Sequence, residues 1–275
     1  MSLSALFEQI HKLPSIPAVV QELIDNFNNP DVDADAISAN IRKDQVISAK
    51  VMRLANSARY GAGRKIASID TAVVMLGFDT LKTLVIASGV TSAFPQIPGF
   101  DLKEFWKHSL SVAGLSKSLA KHATDLDAEE AFTCGLLHNI GEALIHIGES
   151  DVEREIDRLV QDGESRIELQ RNKFGFDYTG VGEELARRWN FPSVILQGIR
   201  QHATPTQFEE FSKLAGVVYL SRFIVRQLEA GADDETMREK MPLTTIEKLG
   251  LNVDQVIEVA NAFAEEDDDL DAILG

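Results

Sequence analysis

Apolar residues recur along this chain at helical intervals through nearly its whole length. In DADAISANIRKDQVISAKVMRLANSARYG they fall at Ile37, Ile41, Ile47, Val51, Leu54 and Ala58, mostly three, four or six apart. With 3.6 residues to a turn, that spacing lays them along helical faces, and it lacks the alternation of a half-buried strand. A stop is expected at Gly61 and Gly63. SIDTAVVMLGFDTLKTLVIASGVTSAF then opens on Ser68, a residue suited to cap a helix. It places Val73, Leu76, Leu81, Leu84 and Val85 at helical spacing around Gly77. This helix–glycine–helix pattern superficially resembles a DNA-reading pair. Its second member carries one lysine and almost no side chain able to read a base edge, so helix packing is the expectation.

Pro95-Gln96-Ile97-Pro98-Gly99 breaks the pattern, because proline removes a backbone donor and disfavours helix in the residue before it. Beyond the break, DLKEFWKHSLSVAGLSKSLAKHA reads as a long amphipathic helix. DAEEAFTCGLLHNIGEALIHIGES reads as another, its acidic start complementing the helix dipole. REIDRLVQDG, a segment from Ser165 to Trp189, FPSVILQGIRQHA with Pro192 in its first turn, EEFSKLAGVVYLSRFIVRQLEAG and LNVDQVIEVANAFAE continue in the same manner. No alternating strand and no internal repeat is visible. The fold class expected is all-α, with an N-terminal helical part over 1–96, a second bundle over 97–230 and a C-terminal helical extension over 231–275. Trp106 and Trp189 are expected in the core, and Pro14 and Pro17 at the entry to the first helix.

Composition narrows the picture. Hydrophobic residues make up 44% of 275, and charged residues 25%, as in ordinary globular chains. Asp and Glu outnumber Lys and Arg by 43 to 27, a formal charge of −16. So negative a surface repels nucleic-acid backbones and anionic membranes, and neither is expected as a partner. Six carboxylates between 265 and 271 read as a solvated tail. The single cysteine, Cys134, excludes an intramolecular disulfide framework and a cysteine-rich zinc site, and its apolar setting predicts an inert core thiol. No apolar run approaches the roughly 18 residues that span a bilayer. The opening MSLSALFEQIHKL has no basic stretch followed by an apolar one, so the expected location is the cytoplasm.

Several phrases, in their order and spacing, resemble the HDOD family, the HD-related output domains of bacterial signalling proteins. They are LPSIPAVVQELI, ISANIRKDQVISAKVMRLANSARYG, SIDTAVVMLGFDTLKTLVIA, FWKHSLSVA, GLLHNIGEALI, VGEELARRWNFPSVILQGIRQHATP and AGVVYLSRF. The resemblance runs from about Leu13 to Val225. It implies an all-α fold whose second half is similar to the HD metal-dependent phosphohydrolases. In those enzymes histidines and aspartates hold one or two divalent cations, which acidify a bound water and stabilise charge on a phosphoryl oxygen.

Carried over position by position, the pattern keeps three imidazoles and loses its acids. His108 matches the first histidine and His138 the histidine of the His-Asp pair, but the aspartate is Asn139. A lysine common in active relatives is Glu142. A further histidine is Tyr178, and the later His-His pair is Gln201-His202. The final aspartate falls at Ser221 or Arg222, neither of them a carboxylate. Asparagine keeps an oxygen but not the charge that offsets and bridges cations. His108, His138 and His202 therefore remain as candidate ligands of a vestigial site. A residual divalent metal (zinc, iron or manganese) is conceivable there, and no cofactor is expected. If His138 and Glu142 share one helix, they form a modest i,i+4 boundary pair. His11, His122 and His146 match no motif and are expected in solvated or capping roles.

The expected function is a non-catalytic regulatory module of bacterial signalling. With no receiver, kinase or cyclase segment, it would stand alone and act by binding a signalling protein or a small ligand. The alternative is a phosphohydrolase, acting on a nucleotide or cyclic dinucleotide, with an altered site.

Overall fold

The computed structural model describes residues 2–10, 13–26, 34–56 and 65–265, and these form helices without a strand. The first part comprises α1 (Leu3–Gln9), α2 (Ala18–Asp25), α3 (Ala34–Lys43), α4 (Gln45–Ala55), α5 (Ile69–Leu76) and α6 (Phe78–Ala93). The stretch of helical spacing that begins at Asp33 divides at Asp44, whose carboxylate accepts from the N–H groups of Val46 and Ile47 at 3.0 Å and starts α4. Gly61, Gly63 and the side chains of Leu54 and Ala58 lie outside the described residues, as do His11 and most of the acidic tail. Ser68 caps α5 as expected, accepting from Thr71 N–H at 3.1 Å. Helix α6 is buried from Leu81 through Thr91, so its apolar character serves packing.

The second part holds α7 (Leu102–Ala120), α8 (Ala128–Leu137), α9 (Ile140–Gly148), α10 (Ser150–Gln161), α11 (Arg166–Phe174), α12 (Tyr178–Arg188), α13 (Ser193–Gln201) and α14 (Lys213–Glu229). The chain closes with α15 (Asp234–Glu239), α16 (Leu243–Lys248) and α17 (Val253–Glu265). One continuous apolar core runs from Leu6 to Phe263 through all three sequence segments. At the Pro95–Gly99 break, Phe94 and Ile97 are both buried in it. Phe94 sits edge-on between Trp106 and Trp189, at ring separations of 5.5 and 6.3 Å, so the two tryptophans do anchor the core. Cys134 is fully buried there, and burial pushes its thiol pKa up, away from the reactive thiolate.

Two close helix crossings set up the cleft. At Gly135, α8 meets α7 so tightly that a Cβ would press on the Ala113 backbone. At Gly141, α9 meets α12, and a Cβ would overlap the carbonyl oxygen of Tyr178. Between these crossings the predicted single helix over 127–150 breaks. His138 ends α8, Asn139 takes φ −105° and ψ 4°, and Ile140 begins α9. The expected i,i+4 relation of His138 to Glu142 is therefore absent. The two belong to different helices, and His138 is wholly buried instead of lying at a boundary.

Candidate functional site

A cleft of about 640 Å³ opens beside the α8–α9 break, with His108, Asn139, Glu142, Tyr178, Arg166 and Arg222 among its lining residues. Three imidazoles lie at its base, His108 reaching the lining while His138 and His202 are wholly buried behind it. The rings of His108 and His138 are 6.0 Å apart, and those of His138 and His202 are 5.1 Å apart. Their hydrogen bonds define which nitrogen is left over. His138 Nδ1 lies 2.6 Å from the Gly135 carbonyl and His202 Nδ1 lies 2.7 Å from the Ile199 carbonyl. A carbonyl only accepts, so each Nδ1 carries the proton and each Nε2 keeps a lone pair. His108 Nδ1 meets Glu229 Oε1 at 2.9 Å.

The leftover nitrogens are treated differently. Tyr178, at a position where the resemblance leads one to expect histidine, donates its hydroxyl to His202 Nε2 at 3.2 Å. Its phenol thus occupies the nitrogen that a metal would use. His138 Nε2 is buried with no partner, and so are Asn139 Oδ1 and Ser221 Oγ. Gln201, the other altered member of the His-His pair, accepts from Ser212 N–H at 3.2 Å and serves the approach to α14. Burial holds His138 well below the usual imidazole pKa, reinforced by His202, Arg222 and His108. His202 is brought down to about 3, by burial first and then by Arg222. Both rings are neutral, and the cation beside them is a guanidinium belonging to the chain.

The opposite wall is acidic. Arg166 reaches Glu153 at 2.5 Å, Asp157 at 2.7 Å and Glu142 at 3.5 Å. Glu153 also receives the Gln170 amide at 2.7 Å, and Gln170 accepts from Tyr178 N–H at 2.8 Å. This ties the acidic wall to the tyrosine that touches His202. Burial pushes the Glu153 carboxyl up, against the pull of Arg166. His146 corrects the sequence reading: it is neither solvated nor a cap, being buried with its Nε2 3.3 Å from Asp157 and its ring 4.3 Å from that of Phe100. The alternating helical pattern turns its face inward once α10 and the Phe100 loop close over it. His122 is exposed, as expected.

Among the described residues, the group of histidine and carboxylate donors whose atoms all lie within 4.8 Å of one another is Glu142, His146 and Asp157. His108, His138 and His202 do not make such a group. A tetrahedral ion needs donors about 2 Å from one centre. With Tyr178 on one nitrogen and Arg222 among the rings, the imidazole set does not fit a divalent cation. The acidic group has Arg166 in its midst.

The fold as a whole has counterparts among known proteins. The model of the HDOD domain matches residues 13–205. The chain belongs to the HDOD family. A solved candidate phosphohydrolase of Shewanella amazonensis SB2B is 36% identical, covers 99% of this chain and 98% of its own, and superposes with a TM-score of 0.84. An HDOD domain protein of unknown function from Geobacter sulfurreducens is 25% identical, covers 98% and 96%, and superposes at 0.83. An uncharacterised protein of Treponema pallidum (strain Nichols) is 27% identical over 263 residues, 92% of this chain. The chain spans about half that relative's length, 49%. Among the described residues no helix is long and apolar enough to cross a membrane.

Sequence reading named the imidazoles and their substituted neighbours but missed Arg166, Arg226, Glu153, Asp157 and Glu229. One signal was available: Arg222, Arg226 and Glu229 stand four and three residues apart, on one face of α14.

Proposed function

We propose that this HDOD domain is a regulatory module of bacterial signalling that acts by binding and does not hydrolyse phosphoesters. The observation that carries this reading is the cation at the imidazole floor. Arg222, at one of the two positions left for the missing aspartate, is near enough to depress both His138 and His202. A fixed positive charge repels a divalent ion and, unlike a metal, cannot acidify a bound water. Of the cleft's carboxylates, Glu142 and Asp157 answer to Arg166, and Glu229 to His108. With hydrolysis set aside, what remains is a preformed polar cleft on a helical scaffold, suited to a small ligand or to a side chain from a signalling protein.

The phosphohydrolase reading has its own support in the name of the Shewanella structure. Elemental analysis of the purified chain, followed by a phosphodiesterase screen with added manganese, separates the two. The binding module contains no stoichiometric transition metal and shows no turnover. Turnover that disappears in His138→Ala overturns it.

A further inference from the structure

Two arginines in this cleft lie within 4 Å of no described carboxylate, in a chain of charge −16. Arg166, Arg171, Arg200 and Arg238 each lie within 4 Å of a carboxylate. Arg222 and Arg226 line the cleft without such a contact, Glu142 and Glu229 acting on Arg226 only from further off. Arg222 is half-buried, and its Nε is sealed from solvent without an acceptor. Arg226 stands one turn further along α14, at the exposed mouth. The two guanidiniums repel one another, and Arg222 is the foremost cause of the lowered pKa of Arg226. Two adjacent cations, one partly desolvated, are stabilised by an oxyanion that each can grip with parallel N–H bonds.

Other features give that anion a body. Asn139 is 6% exposed and lines the cleft, yet its Oδ1 has no partner. With the amide turned over, that oxygen would face the cleft and accept from a hydroxyl on the ligand. Phe100 and Phe105, with ring centroids 5.3 Å apart, form an aromatic part of the same wall. The cleft, about 640 Å³, is larger than a bare phosphate requires and lies within the roughly 300–1,000 Å³ of small-molecule sites.

We propose that the cleft is a metal-independent receptor for a phosphate monoester carrying a flat aromatic body. Its dianionic phosphate is held by Arg222 and Arg226, a hydroxyl by Asn139, and its ring by Phe100 and Phe105. The proposal rests on the non-hydrolytic reading above and names the chemistry of the ligand. An arginine at or beside the place of an acidic metal ligand reverses the charge demanded of an occupant, from cation to anion.

Isothermal titration of the full chain in EDTA tests this, with phenyl phosphate, AMP, adenosine and inorganic phosphate as probes. Phenyl phosphate and AMP are expected to bind at least about tenfold more tightly than adenosine or phosphate. Arg222→Gln and Arg226→Gln are each expected to weaken AMP about 10- to 100-fold, while Arg238→Gln, outside the cleft, leaves it unchanged. Arg226 is exposed, so its variant remains informative if Arg222→Gln fails to fold. Equal affinity for adenosine and AMP overturns the proposal, as does affinity retained in both cleft variants. So does a complete lack of ester binding, or binding that EDTA abolishes and manganese restores. Manganese-dependent hydrolysis of AMP, with binding intact in EDTA, supports the receptor while overturning the non-hydrolytic reading.

Discussion

The two walls of the cleft handle buried charge in opposite ways. On the acidic wall, one guanidinium, Arg166, serves Glu142, Glu153 and Asp157. On the imidazole floor, Arg222 stands beside neutral rings, with no acid paired to it. In an HD enzyme, imidazoles and carboxylates converge on the same cation. Here they are segregated, and each group has its own arginine. The difference teaches that two guanidiniums in one cleft can play unlike parts, one as a structural clamp and the other as a donor without an acid.

The largest expected effect comes from the crossing that keeps the walls in register. Gly141→Val would drive a side chain into the α12 backbone at Tyr178, and chemical denaturation should record a loss of about 4–5 kcal/mol or outright failure to fold. Tolerance of valine there would break the picture of α9 and α12 locked together.

Next comes the clamp. Arg166→Met leaves the wholly buried Glu153 and its acidic neighbours without their cation, an expected cost of about 3–5 kcal/mol by urea denaturation. A negligible effect would mean that the acids are protonated and that no clamp exists.

The floor should show itself through pH. His202 stays unprotonated in the folded state down to about 3, whereas the unfolded chain protonates it near 6.5. Between those values the unfolded state binds more protons, so stability rises with pH. It is therefore lost as pH falls from 6.5 and levels off near 3. His138, shifted in the same direction, adds to the slope. Each imidazole contributes up to about 1.4 kcal/mol per pH unit. His202→Gln should flatten the curve measured between pH 4 and 6.5; an unchanged slope would locate the titration elsewhere.

The smallest effect sharpens the contrast. Arg222→Met keeps the apolar stem and removes a charge that has no counter-ion, so its cost should stay below about 1 kcal/mol. A loss as large as that of Arg166→Met would show that Arg222 is a clamp too.

Local chemistry carried much of this into the sequence. The helical periods, the Ser68 cap and the buried tryptophans follow from short-range preferences and from the need to hide apolar faces. Residue identities such as Asn139, Ser221 and Arg222 can likewise be read off one at a time. What local preference did not convey was the break at His138–Asn139 and the division at Asp44, since an apolar period continues through both. The break exists because α8 and α9 pack against different helices, α7 and α12, through Gly135 and Gly141. Those contacts join residues tens of positions apart. Only they bring His108, His138 and His202 together, turn His146 inward beside Asp157, and set Arg166 and Arg222 against opposite walls. Charge pairing is a property of distance in space, so one chain with 43 acids and 27 bases can be written down without knowing which of its arginines goes without a partner.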